Sequence, residues 1–199
     1  MRPSTGAGVH VWNLATQLAV FLLVSGLVAA LKGSLASEAQ RVRSDQLTGV
    51  LSRHGFFEMA NFELLRLRRA GHGLSVVYLD VDDFKQVNDT QGHERGDELL
   101  RRIGTTLQQE LRAVDAVGRL GGDEFALLLP DDGVDGSGAV VARLRIRLAE
   151  AVDLGGWRVG FSFGVTRITE PSPDFERVLS VADQQMYVEK RSRTRANPR

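Results

Sequence analysis

The chain has 199 residues, 43% hydrophobic and 25% charged, a composition that builds a buried core and excludes a disordered or fibrous chain. Cysteine is absent, which excludes disulfides and thiolate metal sites and permits a reducing compartment. With 25 basic and 25 acidic residues the net charge is zero, so there is no electrostatic basis for nonspecific nucleic-acid binding, and any phosphate-bearing ligand must be held locally.

After a short segment over 1–10, "VWNLATQLAVFLLVSGLVAAL" runs from Val11 to Leu31 without a charge. As a helix it would rise about 31 Å, close to the roughly 30 Å hydrocarbon thickness of a bilayer, and 11–31 therefore reads as a transmembrane helix. Asn13, Thr16, Gln17 and Ser25 weaken the span and leave a buried or a dimerising helix as alternatives. A signal peptide fits poorly, because the apolar run is long and only Arg2 precedes it. Lys32, Arg41 and Arg43 follow the run, so the positive-inside tendency puts the C-terminal part in the cytoplasm. Residues 32–44, with Leu35 and Val42 on a loose stripe, read as a helical connector.

A domain is expected from Asp45, opening with the turn-rich "DQLTGVLSRHGF" and an amphipathic helix over 56–69. Next come a strand in "LSVVYLDVDDF", a helix over 96–112 with Leu99, Leu100, Ile103 and Leu107 inward, and a hairpin at the glycine pair of "RLGGDEFALLLP". The loop "PDDGVDGSG" leads to a helix over 139–151, a strand in "WRVGFSFGVTRI", a last helix over 175–190 and a basic tail, 191–199, that reads as disordered. This order predicts an α/β sandwich, a mostly antiparallel sheet with flanking helices and the site at the sheet ends.

Within "YLDVDD" the period of two points Asp80 and Asp82 to one face, and Val81 into the core with its carbonyl near the strand end. Two such carboxylates make a platform for a hard cation. If the hairpin pairs beside this strand, Asp123 and Glu124 reach the same ion, an oxygen shell that suits Mg²⁺ with a bound triphosphate. The plainer alternative is a set of solvated strand-end acids. Between them, "FKQVNDTQGHERGDELL" adds Lys85, Asn88, Asp89, His93 and Asp97, with Gly92 and Gly96 as turn points before a helix start where N–H groups can hold phosphate oxygens. His93 reads as structural, and Asp97 taken alone fits a helix-start acid favoured by the dipole.

Five ordered motifs, "DQLTGVLSRHGF", "LDVDDFKQVNDTQGHERGDELL", "RLGGDEF", "SFGVT" and "ADQQMYVEK", make the stretch 45–190 resemble the GGDEF-domain diguanylate cyclases. The resemblance implies a fold similar to the palm-like domain of nucleotidyl cyclases, and condensation of two GTP to cyclic di-GMP with release of two pyrophosphates. It implies Asp80, Asp123 and the Val81 carbonyl as ligands of Mg²⁺ or Mn²⁺, with Glu124 completing the acidic signature. By the same resemblance Phe84 and Lys85 form a turn that holds the triphosphate beside Gly121 and Gly122, Lys190 binds phosphate, and Asn88 and Asp97 read guanine.

The resemblance further implies a homodimer with the site at its interface, in the cytoplasmic membrane of a bacterium if 11–31 spans it. The "RAVD" stretch, Arg112 to Asp115, matches the family's inhibitory product site, with Arg143 and Arg66 as weaker candidates for the same ligand. Taken cold, an arginine and an aspartate three apart are more often a surface pair. Two departures stand out: Thr194 occupies the place of an expected phosphate-contacting arginine, with Arg193 and Arg195 as substitutes, and Ser52 replaces an asparagine. The alternative function is a catalytically silent module that acts as a receptor for cyclic di-GMP or GTP.

Overall fold

The computed structural model describes residues 12–14, 16–18, 20–28, 43–70, 73–130, 136–169 and 174–196. The chain divides into two compact units, Met1–Arg41 and Val42–Arg199. In the first, every described residue between 12 and 28 is helical and exposed. Among the described residues no helix is long and apolar enough to cross a membrane. Positions 11, 15, 19 and 29–31 of the expected span, and 32–42 of the expected connector, lie outside the described residues.

The second unit is a sheet between two helical layers. Its strands are β1 (Leu51–Ser52), β2 (Leu74–Asp82), β3 (Ala116–Gly121), β4 (Glu124–Pro130) and β5 (Gly160–Ile168). Their order is β1-β3-β4-β2-β5, antiparallel throughout except for the parallel pair β1 and β3. The helices are α1 (Arg53–Ala70), α2 (Phe84–Gln91), α3 (His93–Glu110), α4 (Gly136–Leu154) and α5 (Phe175–Ala196).

Alternation along β2 assigns the layers. Val77, Leu79 and Val81 face one core with Leu99, Ile103 and Leu107 of α3 and Leu144 and Leu148 of α4. Leu74, Val76 and Tyr78 face the other with Phe56 and Leu64 of α1 and Val178, Leu179 and Met186 of α5. Each core residue removes roughly 1.5–3 kcal/mol worth of apolar surface from water, and β2 is held by burial on both faces. The even positions that continue this second face are Asp80 and Asp82, so the acids emerge where the apolar face ends.

The mostly antiparallel sandwich agrees with the sequence reading, with three differences. β1 is too short to carry a pattern. The segment from Phe84 that reads as a turn is a helix, α2, and Gly96, which reads as a turn point, is buried inside α3. The last helix continues to Ala196 instead of stopping at Lys190; the Ser192 hydroxyl donates to the Glu189 carbonyl at 2.7 Å, and Arg193 lies 3.9 Å from the Glu189 carboxylate one turn back. Residues 197–199 of the expected tail lie outside the described residues.

Candidate active site

Strand register brings the two acidic stretches together. β2 and β4 pair with Asp80 opposite Glu124, and the Val81 N–H donates to the Asp123 carbonyl at 3.3 Å. Gly121 pairs with Glu124, so the turn residues are Gly122 and Asp123, and only Gly122 needs positive φ, at 48°. Gly121 instead completes β3. Arg119 braces this turn, donating to the Gly122 carbonyl at 2.9 and 2.7 Å and to Asp45 at 3.2 Å.

The corner is electrostatically crowded. Burial raises the Asp123 carboxyl above its usual value, and the Asp80 charge raises it further. Glu124 is raised by burial and by Asp123, Asp80 and Asp183, against a hydrogen bond from the Tyr78 hydroxyl. Asp82 is raised by burial, opposed by the Ser162 hydroxyl, which donates at 2.8 Å, and by Lys190 and Arg193. The Lys190 ammonium hydrogen-bonds Asp80 and lies 3.9 Å from Asp82. Burial opposes its charge, but Asp80, Asp82 and Asp123 outweigh that and raise it.

Among the described residues no three acidic or histidine side chains form a ready-made metal cage. The donors nonetheless fit a hard cation. Asp80 and Asp123 raise the local negative charge with oxygen donors only, and Mg²⁺ typically takes one or two carboxylates and completes its shell with water and phosphate oxygens.

Beside the acids, Asp83 adopts the left-handed conformation, φ 65°, an uncommon state for a residue other than glycine, and so turns the chain from β2 into α2. Phe84 and Lys85 thus open a helix that carries no side-chain cap, ahead of its first backbone bonds, which run from the Gln86 and Val87 N–H groups to the Asp83 carbonyl at 2.9 and 3.4 Å. Gly92 separates α2 from α3 at φ 86°. Gly96 permits close contact: a Cβ there would stand 2.0 Å from the Asn88 amide oxygen. Asn88 and the adjacent Asp97 are both half-buried, and neither side chain has a hydrogen-bond partner among the described residues. His93 is exposed at the first position of α3.

At the far end of the β3–β4 hairpin, Arg112 and Asp115 close a turn. The Asp115 carboxylate accepts from the Arg112 backbone at 2.9 Å and from its guanidinium at 2.8 and 3.2 Å, and the guanidinium also donates to the Pro130 carbonyl at 3.2 Å. Arg143 of α4 approaches the same region by donating to the Glu110 carbonyl at 2.6 Å. Arg66 does not join them: it pairs with Glu63 on α1, in the opposite helical layer. Sequence reasoning missed Tyr78 and Ser162, although Ser162 stands inside the motif "SFGVT"; it also missed the placement of Arg193, 3.6 Å from Asp82. Lys190, expected from its motif to bind phosphate, lies on Asp80.

Residues 42–196 match the family described as diguanylate cyclase, GGDEF domain. The chain is similar to the diguanylate cyclase DosC of Escherichia coli K12, 33% identical over 84% of this chain and 37% of that protein. It is also similar to the diguanylate cyclase DgcP of Pseudomonas aeruginosa, 34% identical over 82% of this chain and 25% of that protein. Among solved structures, the diguanylate cyclase SiaD of Pseudomonas aeruginosa, determined in complex with its activator SiaC, superimposes with a TM-score of 0.69 at 30% identity, covering 94% of this chain and 72% of that one. The match thus covers 37% and 25% of the length of these two curated relatives.

Proposed function

The chain belongs to the GGDEF diguanylate cyclase family, and from that premise we propose that it condenses two GTP molecules to cyclic di-GMP with release of two pyrophosphates. The observation that carries this reading is the register that seats Asp80 beside Glu124 and Asp123, a crowded acid corner whose charge Lys190 only partly offsets. In this reading Asp80, Asp123 and the Val81 carbonyl hold Mg²⁺ or Mn²⁺, with Glu124 adjoining. The ion supplies charge stabilisation at the phosphoryl oxygens and favours ionisation of a hydroxyl near it.

The remaining work falls to the protein. The ammonium of Lys190 passes from Asp80 to a phosphate oxygen, and the Phe84 and Lys85 N–H groups, with the Lys85 side chain, hold further oxygens. Asn88 and Asp97, half-buried and unpartnered among the described residues, suit guanine: a carboxylate accepts from N1–H and from the 2-amino group, donors that adenine lacks. ATP would leave that acid without a partner, a mismatch worth about 10⁴-fold in selectivity. One domain presents one GTP. Closing a symmetric ring requires two, arranged antiparallel, so the active species is a homodimer that places two such corners face to face. Arg112, half-exposed at the far end of the hairpin, is the candidate feedback site for the product.

The test is product analysis after incubation with GTP and Mg²⁺, beside ATP and an Asp123→Ala control. Cyclic di-GMP from GTP alone, lost in the control, is the expected result. Cyclic di-GMP binding by a folded dimer without turnover would replace the cyclase with a receptor.

A further inference from the structure

Helix α5 has two halves. Its buried apolar anchors, Phe175, Val178, Leu179, Ala182 and Met186, end one turn before Lys190, and the next two residues, Tyr187 and Val188, are 57% and 68% exposed. Among the described residues no buried apolar side chain therefore fixes the turns that carry Lys190 and Arg193. Helix ends without buried contacts fray at little cost in free energy. Yet Lys190 is placed on Asp80, and Arg193 on the Phe161 carbonyl and beside Asp82.

What holds them comes from the other helical layer. Arg145 of α4 reaches round β5, an edge strand of the sheet. Its guanidinium lies 4.4 Å from the Phe163 ring centroid, one N–H donates to the Phe161 carbonyl at 3.2 Å, and the other arm donates to the Glu189 carboxylate at 2.6 Å. Glu189 is the immediate neighbour of Lys190. The Phe161 carbonyl that Arg145 shares with Arg193 belongs to the residue opposite Val81, and the next, Ser162, is opposite Asp80. The planar fork of arginine thus ties the β5 edge and the polar end of α5 together, a geometry that a lysine reproduces poorly.

We infer that Arg145 is a positioning residue for the substrate site, acting through Glu189 to hold Lys190 and Arg193 over the acid corner. Arg145 itself touches no acid of that corner; its contacts are Glu189, the Phe161 carbonyl and the Phe163 ring. This inference rests on the cyclase reading for its kinetic readout, while its structural readout is independent of turnover.

The experiment compares the full chain with Arg145→Ala, Glu189→Gln, Glu189→Ala and the double variant Arg145→Ala/Glu189→Ala. Four quantities are measured: KM and kcat for GTP, affinity for a non-hydrolysable GTP analogue with Mg²⁺, and amide hydrogen exchange. Arg145→Ala is expected to raise KM and weaken the analogue about tenfold, with kcat within about threefold and exchange accelerated over 187–193 but not over 175–186. Glu189→Gln keeps an acceptor for the guanidinium and should show the mildest effect. The double variant should fall short of the sum of the two alanine variants, because both lose the Arg145–Glu189 connection, while Glu189→Ala alone also loses the pair with Arg193.

A folded Arg145→Ala protein with unchanged analogue affinity and unchanged exchange over 187–193 overturns the inference. So do effects of the two alanine variants that simply add. Absence of turnover in the unsubstituted chain overturns the cyclase reading instead, and analogue affinity with hydrogen exchange then still decides the role of Arg145.

Discussion

The two ends of the β3–β4 hairpin carry the same ingredients, aspartates and a cation, in opposite states. At the Pro130 end, the Asp115 side chain is buried, yet its oxygens are taken up by the backbone and guanidinium of Arg112. At the Gly122 end, burial and like charge raise Asp123 and Glu124 together, and the nearest cation, Lys190, is committed to Asp80. A carboxylate satisfied within its own turn stabilises the fold, and one crowded by its neighbours is a standing cost that a ligand removes. The difference separates acids that build the protein from acids that serve its chemistry.

The largest effect that tests this contrast is at Asp123. Asp123→Asn keeps the shape of the side chain and removes a charge that burial and Asp80 both disfavour. Cyclic di-GMP formation should fall by about 10³-fold or more, since on the proposed reading a charged ligand of the cation is gone. The melting temperature of the nucleotide-free protein should rise at the same time, the usual relation between an electrostatically strained site and stability. An Asp123→Asn protein that melts below the unsubstituted chain would show that this acid is structural, and would break the contrast.

Arg112→Ala probes the satisfied end. Two outcomes belong together there: inhibition by added cyclic di-GMP should need at least about tenfold more product, and stability should drop by about 1–2 kcal/mol, because a buried carboxylate loses charge-assisted partners. Initial rates at low product should stay near those of the unsubstituted chain. Loss of stability with inhibition unchanged would reduce the Arg112 turn to architecture.

Much of this contrast is legible in the sequence, and the reasons are local. The alternation of Val77, Leu79 and Val81 against Val76, Tyr78 and Asp80 fixes which acids share a face, and a glycine pair between apolar runs announces the hairpin. α2 is not legible, because "FKQVNDTQ" buries only Val87 and so lacks a helical stripe, and its start depends on Asp83 in a left-handed state that no pattern announces. Gly96 reads as a turn for the same reason that makes it useful inside α3: only a residue without a side chain lets the Asn88 amide lie against the helix. The layer of Arg66 and the bond from Arg145 to Glu189, 44 positions away, are set by topology, which composition and spacing do not encode.

Asp45 gives the smallest and most pH-specific test, because it lies behind the crowded turn yet belongs with the satisfied acids. Its carboxylate accepts from the Thr48 N–H at 2.9 Å, the Thr48 hydroxyl at 2.6 Å and Arg119 at 3.2 Å, and Arg119 in turn braces the Gly122 carbonyl. Burial works against its ionisation, but the Thr48 hydrogen bonds and the Arg119 charge prevail and hold it below the ordinary 3.8. A group whose folded pKa is depressed contributes stability above its unfolded value and loses it as pH falls through the folded one. Asp45→Ala should therefore cost about 1 kcal/mol near neutrality, read as a lower urea midpoint. The gap should close only in acid below 3.8, where the unsubstituted Asp45 is itself protonated. Asp123→Asn has the opposite sign near neutrality, a gain in place of a loss. Two aspartates linked through the Arg119 brace would then move stability in opposite directions, which a uniform surface-charge effect on the fold cannot produce.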